Sequence, residues 1–156
     1  MLRRVRGRNG QEGQALVETT LMILVVLLLL MGIIEFGFLF FTYVRVSNAA
    51  REGARAGSLW SMYPHSTLCE HVESSVKGEV EGCTTEGADK NCDIVITLDD
   101  GPVDCSSGDP DLEAGEPITV TVDYDFELPF VSGLPIARDI FSSPYLVSRA
   151  VVMRVQ

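Results

Sequence analysis

One apolar stretch constrains this chain more than any other feature. Between Glu18 and Arg45 lie 26 residues with a single charge, Glu35, and no proline. As a helix they extend about 39 Å at ~1.5 Å per residue, more than the roughly 30 Å hydrocarbon core of a bilayer. Soluble core helices are seldom apolar on every face over such a length. The sequence therefore predicts a membrane-spanning helix that continues as a stalk, from Gln14 to Gly57. A cleavable secretory signal would share the basic start, Arg3, Arg4, Arg6 and Arg8. Its apolar core, however, runs only about 7–15 residues before a small-x-small site. Here the first such site, Ala54-Arg55-Ala56, lies ten residues beyond the span. A twin-arginine signal at Arg3-Arg4 fails for similar reasons.

Two carboxylates stand against this apolar background. An ionised side chain at bilayer depth costs about 2.5–3.5 kcal/mol on insertion scales, so each needs a partner or a task. Glu18 has one ordinary explanation, an acid in the first turn favoured by the helix dipole. That explanation leaves its setting untouched: Glu18 stands five residues after Gly13, just past a basic leader. Gly13-Gln14-Ala15-Leu16-Val17-Glu18 has the form of a prepilin peptidase site, cut after Gly13 with Glu18 at the fifth mature position. Cleavage would free an α-amine on Gln14, of ordinary pKa about 7.7–8.0. That amine lies one helical turn from Glu18, within reach of it or of the Glu18 of a neighbouring subunit. Such a pair would set the axial register of helices packing into a filament.

The rest of the helix extends the pattern. Gly32-Ile33-Ile34-Glu35-Phe36-Gly37, followed by Asn48-Ala49-Ala50-Arg51-Glu52-Gly53-Ala54-Arg55, resembles the TadE-like family of minor pilins, or pseudopilins, of the tight-adherence (Flp) pilus system. The likeness covers about Gly13–Gly57, with a fainter echo in Leu146–Val155. It implies an inner-membrane protein, processed by prepilin peptidase and working with other pilin-like subunits and a pilus assembly platform. On that resemblance Gly13 is the cleavage glycine, Glu18 the register acid and Glu35 the mid-membrane acid of a Glu-Phe-Gly motif. Thr19 departs from the aromatic expected after the acid.

Four arginines against Glu12 in the leader, Met1–Gly13, place this end in the cytoplasm and the C-terminal part outside. Tyr43 and Arg45 mark the far interface of the bilayer. Beyond them, Ala49, Gly53 and Gly57 recur every fourth residue, a spacing that permits close approach of another element. From residue 58 the composition changes. Between Ser61 and Glu127 there are 17 acids against two bases, Lys77 and Lys90, which excludes nucleic acid as a partner.

All four cysteines, Cys69, Cys83, Cys92 and Cys105, fall in this outward part, where disulfides form and persist. Three pairings are open. Shortest loop closure favours Cys83–Cys92 enclosed by Cys69–Cys105. A zinc site using Cys69 and His71 has the wrong compartment and spacing. Ser66–Val80 reads as a short helix, Ile94–Leu98 as a strand, and Ile118–Phe126 as a second strand. The second alternates with Ile118, Val120, Val122, Tyr124 and Phe126 inward. Leu146–Val155 closes the chain as a third strand. The acidic Asp109-Pro110-Asp111-Leu112-Glu113 offers oxygens to Ca²⁺, but Gly115 misses the EF-hand glycine position, so a solvated loop is the better reading.

The expected architecture is α+β: a basic leader over 1–13, a transmembrane and stalk helix over 14–57, and a disulfide-bonded acidic head with an antiparallel sheet over 58–156. No catalytic constellation, cofactor motif or metal set is evident, and an enzyme is the least favoured class. The main rival is an unprocessed single-pass anchor whose acidic head binds an external partner or Ca²⁺.

Overall fold

The computed structural model describes residues 9–62, 66–85, 91–106, 108, 110, 112–130 and 144–156, with side chains from Gly13 onward. The leader arginines, His65, Lys90, Asp109, Asp111 and most of the connection between Leu128 and Tyr145 lie outside the described residues. Contacts divide the chain into two compact units, one up to Gly37 and one from Phe38.

Helix α1 spans Asn9–Ser58. It starts inside the stretch assigned to the leader. Once a turn has nucleated, extending a helix by a few residues is easy, and no proline opposes it. In the first unit, the apolar side chains from Leu16 to Leu30 are 48% to 70% exposed. In water that surface would be prohibitive, and in lipid it is the favoured one. Gly13–Ser58 is long and apolar enough to cross a membrane.

The second unit is built on the end of the same helix. Val46, Ala49, Ala50, Gly53, Ala54 and Gly57 are buried and recur every three or four residues, so they form one stripe. Helix α2, Leu68–Lys77, is capped by Thr67, whose hydroxyl accepts from the Glu70 amide at 3.2 Å. It buries Leu68, Cys69, Val72 and Val76 along one side. A short 3₁₀ turn, Trp60–Met62, separates the helices, and the Trp60 indole N–H donates to the Ser66 carbonyl at 2.9 Å.

Four antiparallel strands form the sheet: β1 Cys92–Leu98, β2 Gly101–Pro102, β3 Pro117–Phe126 and β4 Tyr145–Arg154, in the order β2-β1-β3-β4. The protein is thus α+β. Cys92, Ile94 and Ile96 of β1 pair with Tyr124, Val122 and Val120 of β3, placing one apolar row toward the core. Ile118, Val120, Val122 and Phe126 are buried, whereas Tyr124 is half-buried. β2 went unread in the sequence because it is two residues long, the return of a hairpin turned at Asp99-Asp100, with Gly101 at φ +125° just after the turn.

The small residues of α1 make the packing close. A β-carbon built on Gly53 would stand 2.7 Å from Val76 Cγ2 and 3.1 Å from Val120 Cγ1, and one on Gly57 2.5 Å from Ile118 Cδ1. Two disulfides reinforce this thin core: Cys69–Cys105 ties α2 to the loop after β2, and Cys83–Cys92 ties the loop after α2 to β1. No cysteine is free.

Candidate functional site

The residues singled out in the sequence are strung along α1. Among the described residues, and apart from its chain neighbours and its own helix backbone, Gly13 has no atom within 4 Å of where a β-carbon would sit. Gln14 and Glu18 are exposed one turn apart. The hydroxyls of Thr19 and Thr20 donate to the carbonyls of Ala15 and Leu16, both at 2.8 Å, which satisfies them in an apolar stretch. Glu35 is 6% exposed, while Ile33 and Phe36 beside it are at least 60% exposed. Twenty-two residues of helix separate Gly13 from Glu35, about 33 Å. These positions are therefore separate stations along one rod.

Further on, two arginines that the sequence did not pair fix the second unit. The Arg45 guanidinium donates through Nε to the Glu79 carbonyl at 2.9 Å, with Nη2 joining it, and lies 5.7 Å from the Phe41 ring centre. Arg149, on β4, stands 5.1 Å from the Tyr43 ring centre. Such cation–π contacts orient a charge over an aromatic face and are strongest where water is scarce. Only the tertiary fold brings positions 43 and 149 together, so the sequence carried no signal for them.

The second unit holds two hydrogen-bonded carboxylates of note, Glu73 and Asp104. Partial burial works against the Glu73 anion, but donation from Lys77 and from the Thr85 amide and hydroxyl outweighs it, and the pKa falls below the ordinary value. Asp104 is likewise lowered, by the hydroxyl and amide of Ser106 at 2.6 and 3.0 Å. Glu73, Lys77 and Thr85 line a cavity of about 390 Å³ beside the Cys69–Cys105 bridge. Among the described residues, no three His, Cys, Asp or Glu side chains are placed to hold a metal ion.

This arrangement anchors, packs and presents surface. The family model described as "TadE-like protein" matches residues 13–55. That segment begins at Gly13 and takes in Glu18, Glu35, Ala49 and Gly53, all of them residues of α1. The head, from residue 58 on, lies outside it. No curated protein and no solved structure matches the chain. Residues 13–55 are thus similar to the TadE-like family, and the helix that carries them is long and apolar enough to cross a membrane.

Proposed function

We propose that the chain is a pilin-like assembly subunit of a tight-adherence (Flp) pilus or related secretion machinery. Prepilin peptidase cuts it between Gly13 and Gln14, and its helix holds it in the inner membrane with the head outside. The observation that carries this reading is the TadE-like match starting at the glycine of Gly13-x4-Glu18. An open Gly13, with no side chain within 4 Å of its β-carbon position among the described residues, supports access by a peptidase working at a membrane surface. The Gln14 amine and Glu18 then fix axial register between helices, and Glu35 contributes inside the bilayer to association with neighbouring subunits.

The head, 58–156, is the exposed portion of the subunit, and its disulfides suit an oxidising compartment. The mass of the native membrane protein tests the whole reading. A mature N-terminus at Gln14 is expected, and an intact Met1 in cells that contain the peptidase would favour a permanent anchor instead. For Glu35, replacement by Gln should leave insertion intact and reduce co-purification with other pilin-like subunits. Unchanged co-purification would assign Glu35 no part in assembly.

A further inference from the structure

The two edges of the sheet are treated in opposite ways. On the β1 side the edge is filled: the Ile94 amide donates to the Thr84 carbonyl at 2.9 Å, Val103 donates to Ile96 at 2.8 Å, and β2 covers Thr97 and Leu98. On the other side β4 is ten residues long. Its outward groups can be assigned from the ladder. The Val155 amide bonds the Glu116 carbonyl at 2.9 Å, on the β3 side, and Pro117, which has no N–H, faces Arg154. Hydrogen-bonded and non-bonded pairs alternate in an antiparallel ladder. Residues 147, 149, 151 and 153 therefore bond to β3, and Leu146, Ser148, Ala150, Val152 and Arg154 point their amides and carbonyls away from it.

All five of these residues are exposed, Leu146 by 64% and Val152 by 61%. Among the described residues, no backbone group bonds to their outward amides and carbonyls. A long edge flanked by exposed apolar side chains, with no bonded partner among the described residues, is a template for another strand. Its charge selects the occupant. From Leu128 to Gln156 the chain carries three arginines and one acid, against 17 acids and two bases over residues 61–127. Arg149 and Arg154 lie on β4 itself.

A second copy fits this edge poorly. Its β1 edge is filled, its β4 carries the same arginines and no acid, and two such acidic heads repel. We propose that β4 is the docking edge for an extended strand of a different subunit, apolar where it meets Leu146 and Val152 and acidic where it meets Arg154. That strand joins the sheet as a fifth. Calling the occupant a subunit rests on the pilin-like reading above, but the edge chemistry does not.

The test takes the full chain in detergent micelles with two synthetic peptides of alternating valine and threonine. One ends in two glutamates, the other in two lysines. Amide hydrogen exchange reads each position of β4. The glutamate peptide should slow exchange at residues 146, 148, 150, 152 and 154 by about tenfold or more and leave the amides bonded to β3 unchanged. The lysine peptide should not. Ala150→Pro removes one outward N–H while sparing the β3 ladder, and should abolish the protection. If it disturbs the fold, Val152→Lys blocks the same edge with a charge and should have the same effect. No protection, or equal protection by both peptides, overturns the proposal. Protection that rises with protein concentration alone assigns the edge to a second copy and overturns the choice of occupant. None of these outcomes depends on cleavage at Gly13, so failure here leaves the processing reading standing.

Discussion

Gly53 lets Val76 approach α1 so closely that a β-carbon at position 53 would stand 2.7 Å from Val76 Cγ2. Val120 and Val72 follow at 3.1 and 3.5 Å, and all three neighbours are valines, stiff about χ1. Gly53→Ala gains about 1 kcal/mol of helix propensity but forces these side chains to yield, at a cost of about 1–3 kcal/mol. The net result should be destabilisation. At Gly57 the contact at 2.5 Å is the terminal Cδ1 of Ile118, which can rotate aside, so Gly57→Ala should be close to neutral. Thermal unfolding of the two variants in detergent orders them. Equal melting temperatures would mean that the close approach at Gly53 is not tight in solution.

The two disulfides should differ in worth. Chain-entropy reasoning gives about 4 kcal/mol for a loop the size of Cys69–Cys105 and about 2.5 kcal/mol for one the size of Cys83–Cys92. Replacing Cys69 and Cys105 together by alanine should therefore lower the unfolding midpoint more than replacing Cys83 and Cys92. Thiol labelling of the denatured, unreduced protein should find no free thiol. Two labelled cysteines would remove the oxidised head from the account.

Much of this fold is written in local pattern. The apolar run of α1, the alternation of Ile118, Val120 and Val122, and the Thr67-x-x-Glu70 start of α2 each carry a period or a cap that neighbouring residues suffice to declare. What could not be read depends on contacts across the chain. Loop length alone favoured the pairing found among the three open to four cysteines, but the contact that carries it, α2 meeting the loop after β2 at Cys69–Cys105, is tertiary. Arg45 and Tyr43 are legible as interfacial residues, but Glu79 and Arg149 reach them only through the tertiary fold. Tyr124 keeps the inward parity of β3 and is half-buried nonetheless, because parity sets a face and not how deeply a residue is covered. Of the candidate site, Gly13 to Glu18 is, on the proposed reading, a signal for another protein to act on, and the folded chain adds the exposure of Gln14 and Glu18.

Glu73 should give the head a specific acid sensitivity. Its pKa lies below the ordinary carboxyl value when folded, because Lys77 and Thr85 donate to the anion more than partial burial opposes it. A carboxyl depressed in this way contributes stability that is fully present above its unfolded pKa, about 4.3. That contribution is lost as pH falls through the lower folded value. Glu73→Ala should cost about 1–2 kcal/mol at neutral pH, from the lost bonds to Thr85 and Lys77. The deficit relative to the unaltered protein should shrink below about pH 4, where Glu73 protonates in the unfolded chain and then in the folded one. Urea unfolding at pH 7 and pH 3 measures both values, and a deficit that stays constant would show that the Glu73 charge does not contribute.

Gly13 and Glu18 should separate cutting from assembly. A peptidase at a membrane surface needs close backbone approach at the scissile bond, which a glycine permits and a branched side chain obstructs. Among the described residues no side chain packs at Gly13, so Gly13→Leu adds its side chain without displacing any of them. The variant should insert normally, oriented by the leader arginines, and accumulate as the uncut precursor. On the proposed reading Glu18 acts after the cut, pairing with the amine of Gln14 on its own or a neighbouring helix. Its exposure one turn further on leaves the carboxylate available for that pairing. Glu18→Ala should therefore insert and be cut, yet fail to co-purify with other pilin-like subunits, whereas Glu18→Asp should keep part of that association. Mass spectrometry of the membrane fraction reads the first step, and pull-down from mildly solubilised membranes reads the second. Maturation of Gly13→Leu at Gln14 would overturn the processing site, and full association of Glu18→Ala would overturn the role of the acid while leaving the site intact.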